Sequence, residues 1–195
     1  MKTEKKHIIE LYKSKITVFT LKDLAILLKE DNFNNLKARI KYFVDQGYII
    51  RKRKGIYVKE NYNKYELAIR IYTPAYISFE TVLQQAGIIF QPYESIFAAS
   101  YLNRRIELSD GQSIELRKLK NQILINQAGI IRKDNYFIAG PERAFLDMIY
   151  VNPEYYFDNL DLIDFAKCRK IISAYGQKTM FKRLESYAQL AKTQS

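Results

Sequence analysis

Along the first sixty positions apolar residues recur at helical spacing and then give way to alternation. In residues 3–14, Ile8, Leu11 and Tyr12 form one stripe with Lys and Glu around it. Thr20-Leu21-Lys22-Asp23 has the form of a capping box with Asp in place of Glu, and Leu24, Leu27 and Leu28 extend a second short stripe from it. Lys29-Glu30-Asp31-Asn32 reads as a turn. Asn34 is expected to cap a third helix, which runs through Leu36, Ile40, Phe43 and Val44 and stops at Gly47. Residues 48–58 alternate as two strands around an Arg53-Lys54-Gly55 turn. A helix pair followed by a cationic hairpin predicts a winged helix-turn-helix. In that arrangement one helix enters a DNA major groove and the β-wing lies against the backbone.

The remainder predicts a second, mixed region. Residues 59–73 hold a link and a helix with Tyr65, Leu67, Ile69 and Ile71, broken at Pro74. Ser78 is expected to cap a helix through Val82, Leu83 and Ala86, ended by Gly87. Short alternating runs follow at 95–100, 104–108, 113–119 and 130–138, with Asp110-Gly111 and Asp134-Asn135 as turn signals. Pro141 suits the first position of a helix that buries Ala144, Phe145, Met148 and Ile149, and Asn152-Pro153 ends it. Residues 154 to 191 read as two helices. The expected fold is α+β. A winged helix-turn-helix domain covers 1–60, and a domain at 61–195 has a mixed α/β core to about 150 and a helical tail.

Charge sharpens this picture. The net charge is +11, and residues 1–60 hold 15 Lys and Arg against 7 Asp and Glu, while 61–195 hold 17 against 14. A chain rich in Lys, Ile, Asn, Tyr and Phe is basic by compositional bias, but bias does not gather the charge on one segment. On the third helix at ~100° per residue, Asn34, Asn35, Ala38 and Tyr42 face outward opposite the apolar stripe, alongside Lys37, with Arg39 and Lys41 on the flanks. Asn bonds adenine bidentately, an Ala methyl meets a thymine methyl, and Arg and Lys grip phosphates. Arg51, Lys52, Arg53 and Lys54 are expected to reach the backbone from the wing. A solvated helix face and a charge-protected hairpin edge are the plainer alternatives for these residues.

Other chemistry finds little support. One cysteine, Cys168, and one histidine, His7, leave no intramolecular disulfide, Cys-rich zinc site or multi-His centre. No Gly-rich phosphate loop or Gly-x-Ser-x-Gly elbow is present. Asp110 with Glu115 suggests a nuclease carboxylate pair, but the sequence continues Glu115-Leu116-Arg117 where Glu-x-Lys is needed, so a hairpin of alternating charge is expected. Tyr76, Tyr93, Tyr101 and Tyr136 read as core and hydrogen-bonding aromatics. No enzymatic activity, cofactor or metal is expected. No run of ~18 apolar residues predicts a transmembrane span, and the N-terminal segment lacks a signal-peptide core, so a cytoplasmic location is expected.

Three stretches carry a family resemblance. They are the wing Ile50-Arg51-Lys52-Arg53-Lys54-Gly55-Ile56-Tyr57, then Pro74-Ala75-Tyr76-Ile77-Ser78-Phe79-Glu80-Thr81-Val82-Leu83 running to Gly87-Ile88-Ile89, and Gly140-Pro141-Glu142-Arg143-Ala144-Phe145-Leu146-Asp147-Met148-Ile149-Tyr150. In this order they resemble AbiEi-type antitoxins of bacterial abortive-infection, type IV toxin–antitoxin systems. The resemblance covers roughly residues 5 to 150. It implies an N-terminal domain that binds inverted repeats in double-stranded DNA upstream of its own operon and represses it. Two or more copies are expected there, because an inverted repeat presents two related half-sites. The resemblance also implies a C-terminal domain that counteracts a nucleotidyltransferase toxin, which family members need not touch directly. The alternative left open is a winged-helix regulator whose second domain senses a ligand or partner. Physically, Arg143 and Asp147 stand i,i+4 and pair on a helix face, organising the second domain if that face is buried.

Overall fold

The computed structural model describes residues 2–108, 111–176 and 178–194. The chain divides into two compact units, Met1–Ile71 and Tyr72–Ser195. Both mix helices and strands, so the fold is α+β with a helical C-terminal tail. No helix among the described residues is long and apolar enough to cross a membrane.

The first unit runs α1 (Lys2–Lys13), β1 (Val18–Thr20), α2 (Leu21–Leu28), α3 (Phe33–Asp45), β2 (Ile50–Arg53), β3 (Ile56–Val58) and α4 (Lys64–Ile71). Leu11, Phe19, Leu24, Leu28, Leu36, Ile40, Phe43, Ile49 and Tyr57 form its core. The capping box is present: the Thr20 hydroxyl accepts from Asp23 N–H, and the Asp23 carboxylate accepts from Thr20 N–H at 2.8 Å. Asn34 does not cap α3. The cap is Asn32, whose side-chain oxygen accepts from the N–H groups of Asn34 (3.0 Å) and Asn35 (3.1 Å), so the helix starts at Phe33. The strands form an antiparallel sheet in the order β1-β3-β2. β1 escapes a reading of the sequence because a three-residue strand announces itself only through its distant partner, here Val18 opposite Val58.

The boundary expected after residue 60 lies instead after Ile71, and Glu66 supplies the reason. Its buried carboxylate accepts from Thr17 N–H (3.1 Å) and the Thr17 hydroxyl (2.6 Å), and it pairs with Arg70, which reaches Asp23 at 2.8 Å. Unmaking these bonds would leave a buried charge unpaired, so α4 belongs with the first unit.

The second unit holds a six-stranded sheet ordered β6-β7-β5-β4-β9-β8. Its strands are β4 (Ala75–Ile77), β5 (Ile96–Ser100), β6 (Arg104–Glu107), β7 (Ser113–Lys118), β8 (Ile130–Lys133) and β9 (Tyr136–Ala139). β4–β9 and β5–β7 pair in parallel and the other neighbours antiparallel. The helices are α5 (Glu80–Gln85), α6 (Asn121–Leu124), α7 (Pro141–Val151), α8 (Phe165–Ile171) and α9 (Lys178–Gln194). α7 starts at Pro141 and buries Ala144, Phe145, Met148 and Ile149, as the spacing predicts. Ser78 does not cap α5. The cap position is Phe79, at φ +56°, and the Ser78 hydroxyl points into the core. The two helices expected in residues 154–191 are α8 and α9, with one 3-10 turn at Leu160–Leu162 ahead of α8 and another at Ile172–Tyr175 between them. Asp110 lies outside the described residues. Glu115 is engaged by Arg105 at 2.8 Å across the β6–β7 pair, which fits the alternating-charge hairpin.

Candidate nucleic-acid interface

An exposed groove of about 590 Å³ opens between α3 and the β2–β3 hairpin. Lys37 and Lys41 stand on its α3 side, Arg51 and Lys54 on its hairpin side, with Asp45 as an acidic member of the lining. Leu21, Phe33, Ile40, Val44 and Tyr57 make the floor. All four cations are exposed. Their placement follows from local structure. On α3, Lys37 and Lys41 are four apart and share a face. On the hairpin, Gly55 takes φ +80°, which lets the chain reverse within two residues and leaves Lys54 at the tip.

The hairpin does not present its four cations together. Arg51 is opposite Tyr57, but Ile56 is opposite Arg53, so Lys52 is an extra residue that bulges from β2. Its ammonium lies 4.9 Å from the centre of the Tyr62 ring, in the segment that leads to α4. Arg51 and Lys54 line the groove, Arg53 is exposed at the end of β2, and Lys52 turns to Tyr62.

The α3 residues divide similarly. Asn34, Asn35, Ala38 and Tyr42 are exposed on the outer face beside the groove, as the periodicity predicts. Tyr42 stacks tilted against Phe43 and Tyr48 at 6.0 and 6.5 Å. Arg39 is turned inward. It pairs with Glu30 at 3.4 Å and meets His7 Nδ1 at 3.3 Å, so it braces α3 against α1 and the α2–α3 turn rather than standing ready for a phosphate. Sequence reasoning misses Phe33, which follows the apolar stripe to the helix start yet is 55% exposed, with the Lys37 ammonium 4.2 Å from its ring centre. Its signal is an apolar residue at the first helical position with no later turn to cover it. Two cationic sides over an apolar floor have the chemistry to hold a polyanion that also carries apolar surface.

The second unit uses its charges differently. Arg143 and Asp147, both fully buried on α7, pair at 3.2 Å. The Arg143 guanidinium donates to the carbonyls of Ile123 (2.7 Å), Asn126 (3.3 Å) and Ala128 (3.0 Å) and to the Tyr76 hydroxyl (2.8 Å). The Asp147 carboxylate accepts from the hydroxyls of Tyr76 (2.9 Å), Ser78 (2.7 Å) and Tyr175 (2.6 Å). Burial pushes the Asp147 carboxyl above the usual carboxylate range, against Arg143 and those three donors. Burial works to lower the Arg143 guanidinium, but Asp147 and the two phenols outweigh it and hold it charged. Both phenols are raised, first by burial and then by the Asp147 charge. The two motif stretches at 74–89 and 140–150 therefore meet in one closed network with its bonding capacity turned inward. Cys168 is buried, and burial lifts its thiol to about 12, which removes it from nucleophilic chemistry at neutral pH.

No family model matches the chain, and no curated protein does. The fold is similar to the crystal structure of the RV2827C protein from Mycobacterium tuberculosis, with a TM-score of 0.56 and 14% sequence identity over 96% of this chain and 76% of that one. At that identity the likeness is one of fold.

Proposed function

We propose that residues 1–71 are a winged helix-turn-helix that binds double-stranded DNA, with α3 as the recognition helix and the β2–β3 hairpin as the wing. The observation that carries this reading is the groove with Lys37 and Lys41 on one side and Arg51 and Lys54 on the other. Helices α1 to α3, the β1-β3-β2 strand order and the gathering of positive charge in the first sixty residues support it. Asn34, Asn35, Ala38 and Tyr42 are the base-reading candidates. Together with the resemblance of the three sequence stretches to AbiEi-type antitoxins, the reading becomes a cytoplasmic antitoxin and autorepressor without enzymatic activity. It occupies an inverted-repeat operator in multiple copies, and its second unit opposes a nucleotidyltransferase toxin.

Binding to DNA from upstream of its own gene, followed by fluorescence anisotropy across a salt series, tests the first part. Changing Lys37, Lys41, Arg51 and Lys54 together to Ala weakens binding to every sequence and reduces the log–log salt slope by roughly 0.9 for each phosphate no longer neutralised. An unchanged slope removes the groove from the interface. Co-expression with a neighbouring nucleotidyltransferase gene tests the second part. Growth is rescued by the full chain and fails when residues 72–195 are removed.

A further inference from the structure

Charge alone does not account for the groove. Phe33 leaves more than half its surface in water at the first position of α3, and the half-buried Leu21 and Val44 line the groove with it between the cationic sides. Apolar surface at a binding face contributes only when the ligand brings apolar surface to meet it. The ligand must therefore alternate anionic and apolar groups at short range. A nucleic-acid strand does so, because a deoxyribose with apolar C–H faces separates each phosphate from the next.

We infer that the groove is a binding site for one sugar–phosphate strand, its phosphates held by Lys37, Lys41, Arg51 and Lys54 and its sugar rings seated on the floor at Phe33 and Val44. This rests on the DNA-binding reading above and says which part of the duplex the groove takes. The bulge at Lys52 fits it, since Arg51 and Lys54 line the groove opposite α3 while Lys52 lies against Tyr62. The Lys37 ammonium over the Phe33 ring presents a charge and an apolar face side by side, as a phosphate followed by a sugar requires. Binding then has a salt-dependent component from the cations and a salt-independent one from the floor.

Three labelled probes of equal length separate these components on the full chain: a random-sequence duplex, a single strand of tetrahydrofuran abasic units, and a single strand of propanediol phosphates. The last two carry the same charge and no bases, but only the abasic strand has sugar rings. The abasic strand should bind about fivefold more tightly than the propanediol strand, with equal salt slopes. Phe33→Ser should bring that ratio to about one, and Phe33→Leu should keep part of it. Circular dichroism melts confirm that both variants are folded, as an exposed position allows. Equal binding of the two strands, or a ratio unmoved in Phe33→Ser, overturns the sugar assignment, and a duplex still bound with a salt-dependent affinity leaves the DNA-binding reading intact. Failure of all three probes to bind overturns both.

Discussion

Arg51 beside the α3 groove and Arg143 inside α7 are the same side chain in opposite settings. Arg51 is exposed and lines an open groove with three other cations. Arg143 is fully buried, and carbonyls, a phenol and Asp147 surround its guanidinium. The first setting keeps binding capacity for a partner and contributes little to folding, since exposed charges are worth under about 1 kcal/mol. The second spends that capacity on the fold itself. Charge in a sequence motif therefore says little about function until burial is known. In the stretch Pro141-Glu142-Arg143 the guanidinium of Arg143 serves to lock α7 to β4 and to the segment around residues 123–128.

The largest effect that would sharpen this contrast is Arg143→Ala. It leaves Asp147 buried without its cation and should cost about 3–5 kcal/mol in urea unfolding, with DNA affinity of the folded protein unchanged. A loss within the range of an exposed arginine would erase the contrast. Gly129→Ala approaches the same network from outside. A Cβ there would lie 2.9 Å from both Arg143 Cβ and Ile171 Cδ1, at a backbone φ of +75°, so a loss of about 1–3 kcal/mol is expected by thermal melting. In the first unit, Thr20→Ala removes the capping box and should cost about 1 kcal/mol. The smallest change separates two neighbours on the hairpin. Arg51→Ala should reduce the DNA salt slope by roughly 0.9, whereas Lys52→Ala should leave it nearly unchanged. Equal slopes for both would return Lys52 to the groove.

Local signals are legible in the sequence and distant ones are not. Thr20 and Asp23 are three residues apart and bond each other, so their spacing alone declares the box. Pro141 and Asp134-Asn135 likewise mark a helix start and a turn through their own backbone preferences. Asn32 and Asn34 are equally good caps by type. Asn32 takes the role because its side chain reaches two N–H groups ahead of it, and the turn geometry that permits this leaves no trace in the sequence. Ser78 reads as a cap until the fold brings Asp147, 69 residues away, within 2.7 Å of its hydroxyl. At the candidate interface the outer face of α3 is legible from periodicity. The inward turn of Arg39 is not, because Glu30 and His7 approach it from other parts of the unit.

The bulge in β2 has a consequence for how the hairpin is encoded. In an uninterrupted ribbon odd and even positions part company, which would group Arg51 with Arg53 and Lys52 with Lys54. One surplus residue changes that parity, so Arg51 and Lys54 line the groove while Lys52 leaves it. The same four residues paired without a surplus position would send Lys54 to the face opposite Arg51. What the hairpin presents is thus written in its pairing register as much as in its composition.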